Sequence, residues 1–563
     1  MRRSTVPPVP NPDPSPLLFA SGLSPDEVSR FLAPYGFKDS PRADANIQAV
    51  AGEPHARARF SAIFPELLNA VAQTADPDQA LNHWERFLQA GLNRMQLFDY
   101  LNSAPRMLHV LCFIFGNSDA LAQTLVRDPL LIYWLAEEQV LNRMPTKGEL
   151  DRMVREAVRN VTAVELKQEA LRRIKRREML RIGVRDLLRL ADVPETTAAL
   201  SDLAAVLIQQ AYETVDAEMR QQYGTPAYRA RNGRQVENGF SVIAMGKLGG
   251  HELNFSSDVD LIYVYASDEG HTKPVRGASA RRFLRSISNE EYYEYLAREL
   301  TRALAEPMQE GYVFRVDLRL RAEGTMGKLA RSVDSYRHYY RQRGEEWERL
   351  ALLKAAPIAG DPAVGRAFLA AVRPFVFKAN RRKIERADAV RIVEDVRAVK
   401  EMIDQKTERR GHERRNVKLG IGGIREIEFI VQAAQVLCGV ASADLRVRNT
   451  LSALRSLKAC RLLSAGDADA LSRAYLFLRD VEHKLQMVQD LQTHALPESE
   501  EEMARCAVRL GYAAHDRNTS RRRFLADLER HTGRVHRIFR SLFHASARSP
   551  LVKAALALTR RSR

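Results

Sequence analysis

An apolar run, a glycine turn and a second apolar run opened by two aspartates constrain this chain more than any other feature. The stretch is 240–265, FSVIAMGKLGGHELNFSSDVDLIYVY. Residues 240–245 and 259–265 are rich in Val, Ile, Tyr and Phe and predict two strands. Side chains two apart on a strand point the same way, so Asp258 and Asp260 face one side together. Two carboxylates held that close repel unless a cation stands between them. An all-oxygen pair suits Mg²⁺, which takes one or two carboxylates together with substrate phosphates. Two further Asp-x-Asp patterns, Asp76/Asp78 around Pro77 and Asp467/Asp469 after Gly466, open no apolar strand and read as turns or helix starts.

The frame around this stretch is large and basic. A chain of 563 residues implies about two to four domains. Its 45% apolar content is ample for real cores. The net charge of +17 invites a nucleic-acid reading. The basic clusters lie inside helical periodicity rather than in tails, so the preferred reading is arginine on solvated helix faces, with nucleotides and an acidic partner surface as ligands. Cys112, Cys438, Cys460 and Cys506 are far apart and form no C-x-x-C, which argues against a metal or disulfide framework and for reduced thiols in the cytoplasm. The start, MRRSTVPPVPNPDPSP, is Pro-rich rather than apolar, which argues against a secretory signal, and no apolar stretch is long enough to span a bilayer.

The pattern divides into a disordered Pro-rich tail (1–20), a helical region (21–224), a mixed α/β domain (225–380), a helical bundle (381–550) and a frayed tail (551–563). Residues 84–101 and 121–135 have helical spacing, the second split by Pro129. Residues 165–190 predict a basic amphipathic helix, its arginines solvated or paired with Glu169, Glu178 and Asp186, with phosphate binding as the alternative. Ser288 opens a helix with a capping-box pattern that ends before Pro307. Residues 312–321, YVFRVDLRLR, alternate as a strand. Tyr312, Phe314, Val316, Leu318 and Leu320 point one way, and Val313, Arg315, Asp317, Arg319 and Arg321 the other. Arg319 and Arg321 are candidate phosphate contacts, because planar guanidinium groups match phosphate oxygens in pairs. The turn at 323–327 is a candidate frame for a nucleotide. Residues 335–353 run helically into Lys354, with Trp347 as core packing and Lys354 as either a phosphate contact or a surface lysine. The glycines of 417–424, VKLGIGGI, either free N–H groups for an anion or make a plain turn.

Met245-Gly246-Lys247 followed by Asp258 resembles the nucleotidyltransferase superfamily that includes DNA polymerase beta, with Lys247 where that superfamily has Ser. GKLGG, ELNFSSDVDLIYVY and GGIREIEFIVQ narrow the resemblance to the glutamine synthetase adenylyltransferase/adenylyl-removing family, over roughly residues 165 to 500. The resemblance implies an α+β, mostly helical chain: a polymerase-beta-like domain with a small mixed sheet, flanked by helical domains. It implies Asp317 as a third carboxylate beside Asp258 and Asp260, with Mg²⁺ or Mn²⁺ as cofactor. It also implies nucleotide contacts among Gly246, Lys247, Gly249, Gly250, Ser257, Arg319, Arg321 and Lys354. The substrates would be ATP or ADP and inorganic phosphate, and the partners glutamine synthetase and the PII signalling protein. Members usually carry two such units, the first removing AMP from a glutamine synthetase tyrosine and the second adding it. This sequence holds one unit, and Asn254 and Arg425 look like the removing one. The alternatives are a nucleotidyltransferase acting on RNA or another protein, and a non-catalytic regulatory homologue.

Overall fold

The computed structural model describes residues 13–20, 22–274, 285–377, 385–408, 415–513, 515–543 and 549–561. Helices run to Tyr223. Among the described residues, eight strands follow between 225 and 360, and helices then resume. The strands are β1 (Thr225–Arg229), β2 (Gln235–Glu237), β3 (Phe240–Ala244), β4 (Val259–Tyr265), β5 (His271–Lys273), β6 (Val316–Asp317), β7 (Ala330–Ser332) and β8 (Ala356–Gly360). β2, β1 and β5 form a small antiparallel sheet. The larger sheet has the order β6-β4-β3-β8. β3 is antiparallel to β4 and to β8, whereas β6 and β7 both lie parallel to β4, at its start and its end.

The continuous apolar runs of β3 and β4 are explained by burial on both faces. Phe240, Val242, Ala244, Leu261, Tyr263 and Tyr265 join one hydrophobic core with the helices up to Tyr223 and the helix Asn289–Ala305. Ile243, Met245, Ile262 and Val264 join a second core, built by the helices that follow β7. The sheet is thus a wall between two cores, and strand alternation assigns each residue to its side.

Several local expectations change. The helix Val164–Leu187 is not amphipathic; Arg172, Glu178, Arg181, Arg185 and Asp186 are all buried in it. Arg172 donates to the carbonyls of Ala303 (3.0 Å) and Glu306 (2.8 Å), a cation at the C-terminus of another helix. Of the expected helical pairings, Glu178 meets Arg177 and Arg181, but Glu169 accepts backbone N–H groups of Gln309 and Glu310, and Asp186 meets Lys484. Residues 312–321 are not one strand. Val313 and Phe314 donate backbone N–H groups to Leu304 O, which buries Val313 completely. Only Val316–Asp317 pair with β4, and Asp317 Oδ1 then accepts the Arg319 N–H (2.8 Å), turning the chain.

Residues 84–101 fall into the helices Pro77–Gln89 and Arg94–Ser103, and 333–353 into Val333–Gln342 and Glu346–Leu352. Asp76 caps a helix, and Asp467 sits in the first turn of another. Most of the expected Pro-rich tail lies outside the described residues, but Pro16–Phe19 is helical and buries Leu17 and Leu18. The expected frayed end is the helix Pro550–Arg561, with Leu551, Val552 and Ala555 buried. No helix among the described residues is long and apolar enough to cross a membrane.

Candidate active site

Strand pairing brings the three aspartates together. The parallel register of β4 and β6 sets Val259 opposite Val316 and Asp260 opposite Asp317. Asp258 stands just before β4, where the Val259 N–H donates to Arg315 O (2.9 Å). Above them the chain leaves β3 through Gly246, which has φ +53°, and a Cβ there would lie 2.2 Å from Asp260 Oδ2. Glycine is therefore required twice over, for its backbone and for the carboxylate's space. All three aspartates line one cavity of about 540 Å³.

Their electrostatics differ. Asp258 accepts from Arg315 Nε at 2.7 Å. Asp317 accepts from Arg319 Nε at 3.0 and 2.9 Å; burial pushes its carboxyl up, but the Arg319 hydrogen bonds outweigh this and hold it below the usual range. The Asp260 carboxylate accepts no hydrogen bond from a described residue, although its backbone carbonyl accepts from Met245 N (2.8 Å). Burial first, and Asp317 next, push its carboxyl up to about 6. Among the described residues no three His, Cys, Asp or Glu side chains are gathered tightly enough to hold a metal by themselves. An ion that draws its other ligands from substrate phosphates needs no such cage. Asp260, half-buried and unpaired beside a second carboxylate, fits a hard divalent cation.

The remaining expected contacts are placed as follows. Gly246, Lys247, Ser257, Arg319 and Lys354 line the cavity. The ammonium of Lys247 pairs with buried Glu482 at 2.9 Å, and burial lowers its pKa to about 7. Lys354 is not a surface lysine: it is buried between Glu252 (3.0 Å) and Glu428 (3.1 Å), which hold its charge on despite burial. Arg321 does not line the cavity. Its guanidinium donates to the carbonyls of Gly327, Leu318 and Thr325 and so fixes the 323–327 turn, which also lies off the cavity. Gly249 and Gly250 are not in the lining either; a Cβ on Gly249 would meet Lys354 O at 2.0 Å, so this glycine serves close packing.

Sequence reasoning passed over the wall opposite the aspartates. Trp347 lines the cavity rather than the core, with Nε1 donating to Glu345 (2.6 Å). Lys418, Arg425, Glu428, Phe429 and Gln432 come from the 417–424 glycine segment and the helix Ile424–Cys438. The glycines there form a turn: Ile424 N donates to Val417 O, Arg425 N to Lys418 O and Glu426 N to Gly423 O, so the first N–H groups of the helix Ile424–Cys438 are already taken within the chain. The available signal was the lysine at the head of VKLGIGGI, overlooked beside its glycines.

Two buried networks fasten this wall to the sheet. Glu482 accepts from Lys247 and Asn254, and His494 Nδ1 lies 2.8 Å from it. Glu252 accepts from Lys354, Thr450 and Tyr475.

Residues 108–371 match the family model described as glutamate-ammonia ligase adenylyltransferase, and residues 397–543 match the model for GlnD PII-uridylyltransferase. The cavity draws its lining from both matched segments. Curated relatives named bifunctional glutamine synthetase adenylyltransferase/adenylyl-removing enzyme include one from Nitrosococcus oceani, 38% identical over 78% of this chain and 43% of its own. One from Thioalkalivibrio sulfidiphilus is 39% identical over 77% of this chain and 42% of its own. One from Streptomyces coelicolor is 35% identical over 91% of this chain and 47% of its own. The chain spans less than half the length of these relatives. Its residues 108–371, the segment that carries all three cavity aspartates, belong to the glutamate-ammonia ligase adenylyltransferase family.

Proposed function

We propose that the chain is a metal-dependent nucleotidyltransferase that controls glutamine synthetase through AMP on a tyrosine, and that it removes the AMP. The observation that carries this reading is the convergence of Asp258, Asp260 and Asp317 on one cavity wall, with Asp260 left without a partner. The reaction class follows from the family of residues 108–371 and from the relatives' names. The direction rests on Asn254 and Arg425, which resemble the removing unit.

Asp258, Asp260 and Asp317 would hold Mg²⁺ or Mn²⁺, which when bound supplies charge neutralisation at the phosphorus and alignment of the entering and leaving oxygens. Ser257, next to Asp258 in sequence, also lines the cavity. Arg319, largely exposed, is poised to exchange Asp317 for a phosphate oxygen. Trp347, Leu350 and Phe429 form an apolar side suited to a purine. Inorganic phosphate attacks the AMP phosphorus, the bond to the tyrosine oxygen breaks, and ADP leaves; the phenolate takes its proton from solvent. The PII signalling protein is the regulatory partner this reading implies, and the match of residues 397–543 supports a link to PII chemistry.

The test uses purified glutamine synthetase and Mg²⁺, with adenylylated target plus phosphate in one reaction and unmodified target plus labelled ATP in the other. ADP release in the first is the expected result. Label incorporation in the second alone reverses the direction, and failure of both removes the reading. Asp260→Asn and Asp317→Asn should each lower turnover at least ~100-fold without unfolding the chain.

A further inference from the structure

We propose that Lys418 anchors the entering inorganic phosphate, at a site supplied by the helical segment rather than by the sheet. The inference rests on the nucleotidyltransferase reading and adds to it the place of the second substrate. Phosphorolysis must hold two anions in one cavity, the nucleotidyl phosphate and the attacking phosphate. The second cannot lie against three carboxylates and needs a cation whose charge is not already spent.

The described cations of the lining are Lys247, Arg319, Lys354, Lys418 and Arg425. Lys247 is paired with Glu482, and Lys354 with Glu252 and Glu428. Arg319 is paired with Asp317 and, in the proposed reaction, is committed to the nucleotidyl phosphate, and Arg425 is paired with Glu428 at 3.2 Å while it lies over the Phe429 ring. Lys418 alone among them makes no side-chain hydrogen bond or ion pair to a described residue. Its field nevertheless reaches across the cavity: it favours the ionised form of Asp260 and that of Glu428.

The loop that carries Lys418 is built in place. The Asn416 side chain accepts the N–H groups of Lys418 (3.0 Å) and Leu419 (2.8 Å). The Lys418 carbonyl accepts from Arg425 N (3.0 Å). Gly422, at φ +71°, allows the loop to lie directly on Thr532 O, where a Cβ would come within 2.0 Å. A half-buried, unpaired ammonium on a fixed loop, lining the same cavity as the aspartates, is a phosphate position.

Equilibrium dialysis of inorganic phosphate against the full chain tests this directly. Lys418→Met is expected to weaken phosphate binding at least ~10-fold, with Lys418→Arg recovering most of it and both variants melting with the wild type. In phosphorolysis, Lys418→Met should raise KM for phosphate by a similar factor and leave KM for the adenylylated protein within about twofold. Wild-type binding retained in Lys418→Met, or recovery absent in Lys418→Arg, overturns the proposal. Phosphate binding that depends on Lys418 in a chain with no AMP transfer in either direction would keep the anion site and discard the reading of the reaction.

Discussion

Asp260 is the residue on which the site turns, because it is a carboxylate kept from its usual partners. Its folded pKa of about 6 stands above the ordinary 3.8. A carboxyl raised on folding contributes stability below its unfolded value and loses it as pH rises through the folded one. Without ligand, the protein therefore bears a destabilising charge at neutral pH. Asp260→Asn should raise the ligand-free melting temperature at pH 7.5, by the equivalent of about 1–2 kcal/mol, and this gain should vanish near pH 4. Calorimetry across that range decides it, and an unchanged melting point at pH 7.5 would refute the assignment. The same titration predicts that Mg²⁺ stabilises the wild type at pH 7.5 more than at pH 5, since the ion competes with the proton.

The β3–turn–β4 element is where sequence and structure agree most closely, for a physical reason. Strand, glycine and aspartates are adjacent in sequence, so local rules suffice to place Asp258, Asp260 and Gly246. Gly246→Ala should lower both stability, by about 1–2 kcal/mol, and Mg²⁺ affinity, because the new methyl would strain the turn and displace the Asp260 carboxylate. Paired melting and metal titrations check this; a variant that only melts lower would confine the glycine to the turn. Asp317 was legible as a residue but not as part of a long strand. Its own carboxylate captures the Arg319 N–H and ends the pairing, and alternation cannot signal such local competition. The helix Val164–Leu187 misled because charges usually mark a solvated face, whereas here arginines are consumed by carbonyls of distant elements. Lys418 was illegible as a partner of Asp260 because more than a hundred residues of chain separate them, and only the fold supplies their proximity.

At the scale of the molecule, the basic excess is partly an internal matter. Arg172, Arg185, Arg349, Arg479 and Arg509 are buried, which corrects the expectation of solvated helix faces alone. The two cores share the sheet, and the Glu482 and Glu252 networks tie the helical segment to the glycine turn. Glu252→Ala should cost about 3–5 kcal/mol, since it deprives buried Lys354, Thr450 and Tyr475 of one acceptor. Denaturant melts should show this loss as one shifted transition; two separated transitions would mean that the halves fold independently.

The division of the cavity lining between the two matched segments has an evolutionary corollary. In the proposed reaction the sheet would determine where the phosphorus sits, and the helices what approaches it. The two can be altered by separate mutations, so descendants sharing one set of aspartates are free to diverge in reaction direction by remodelling a loop that never touches the metal side.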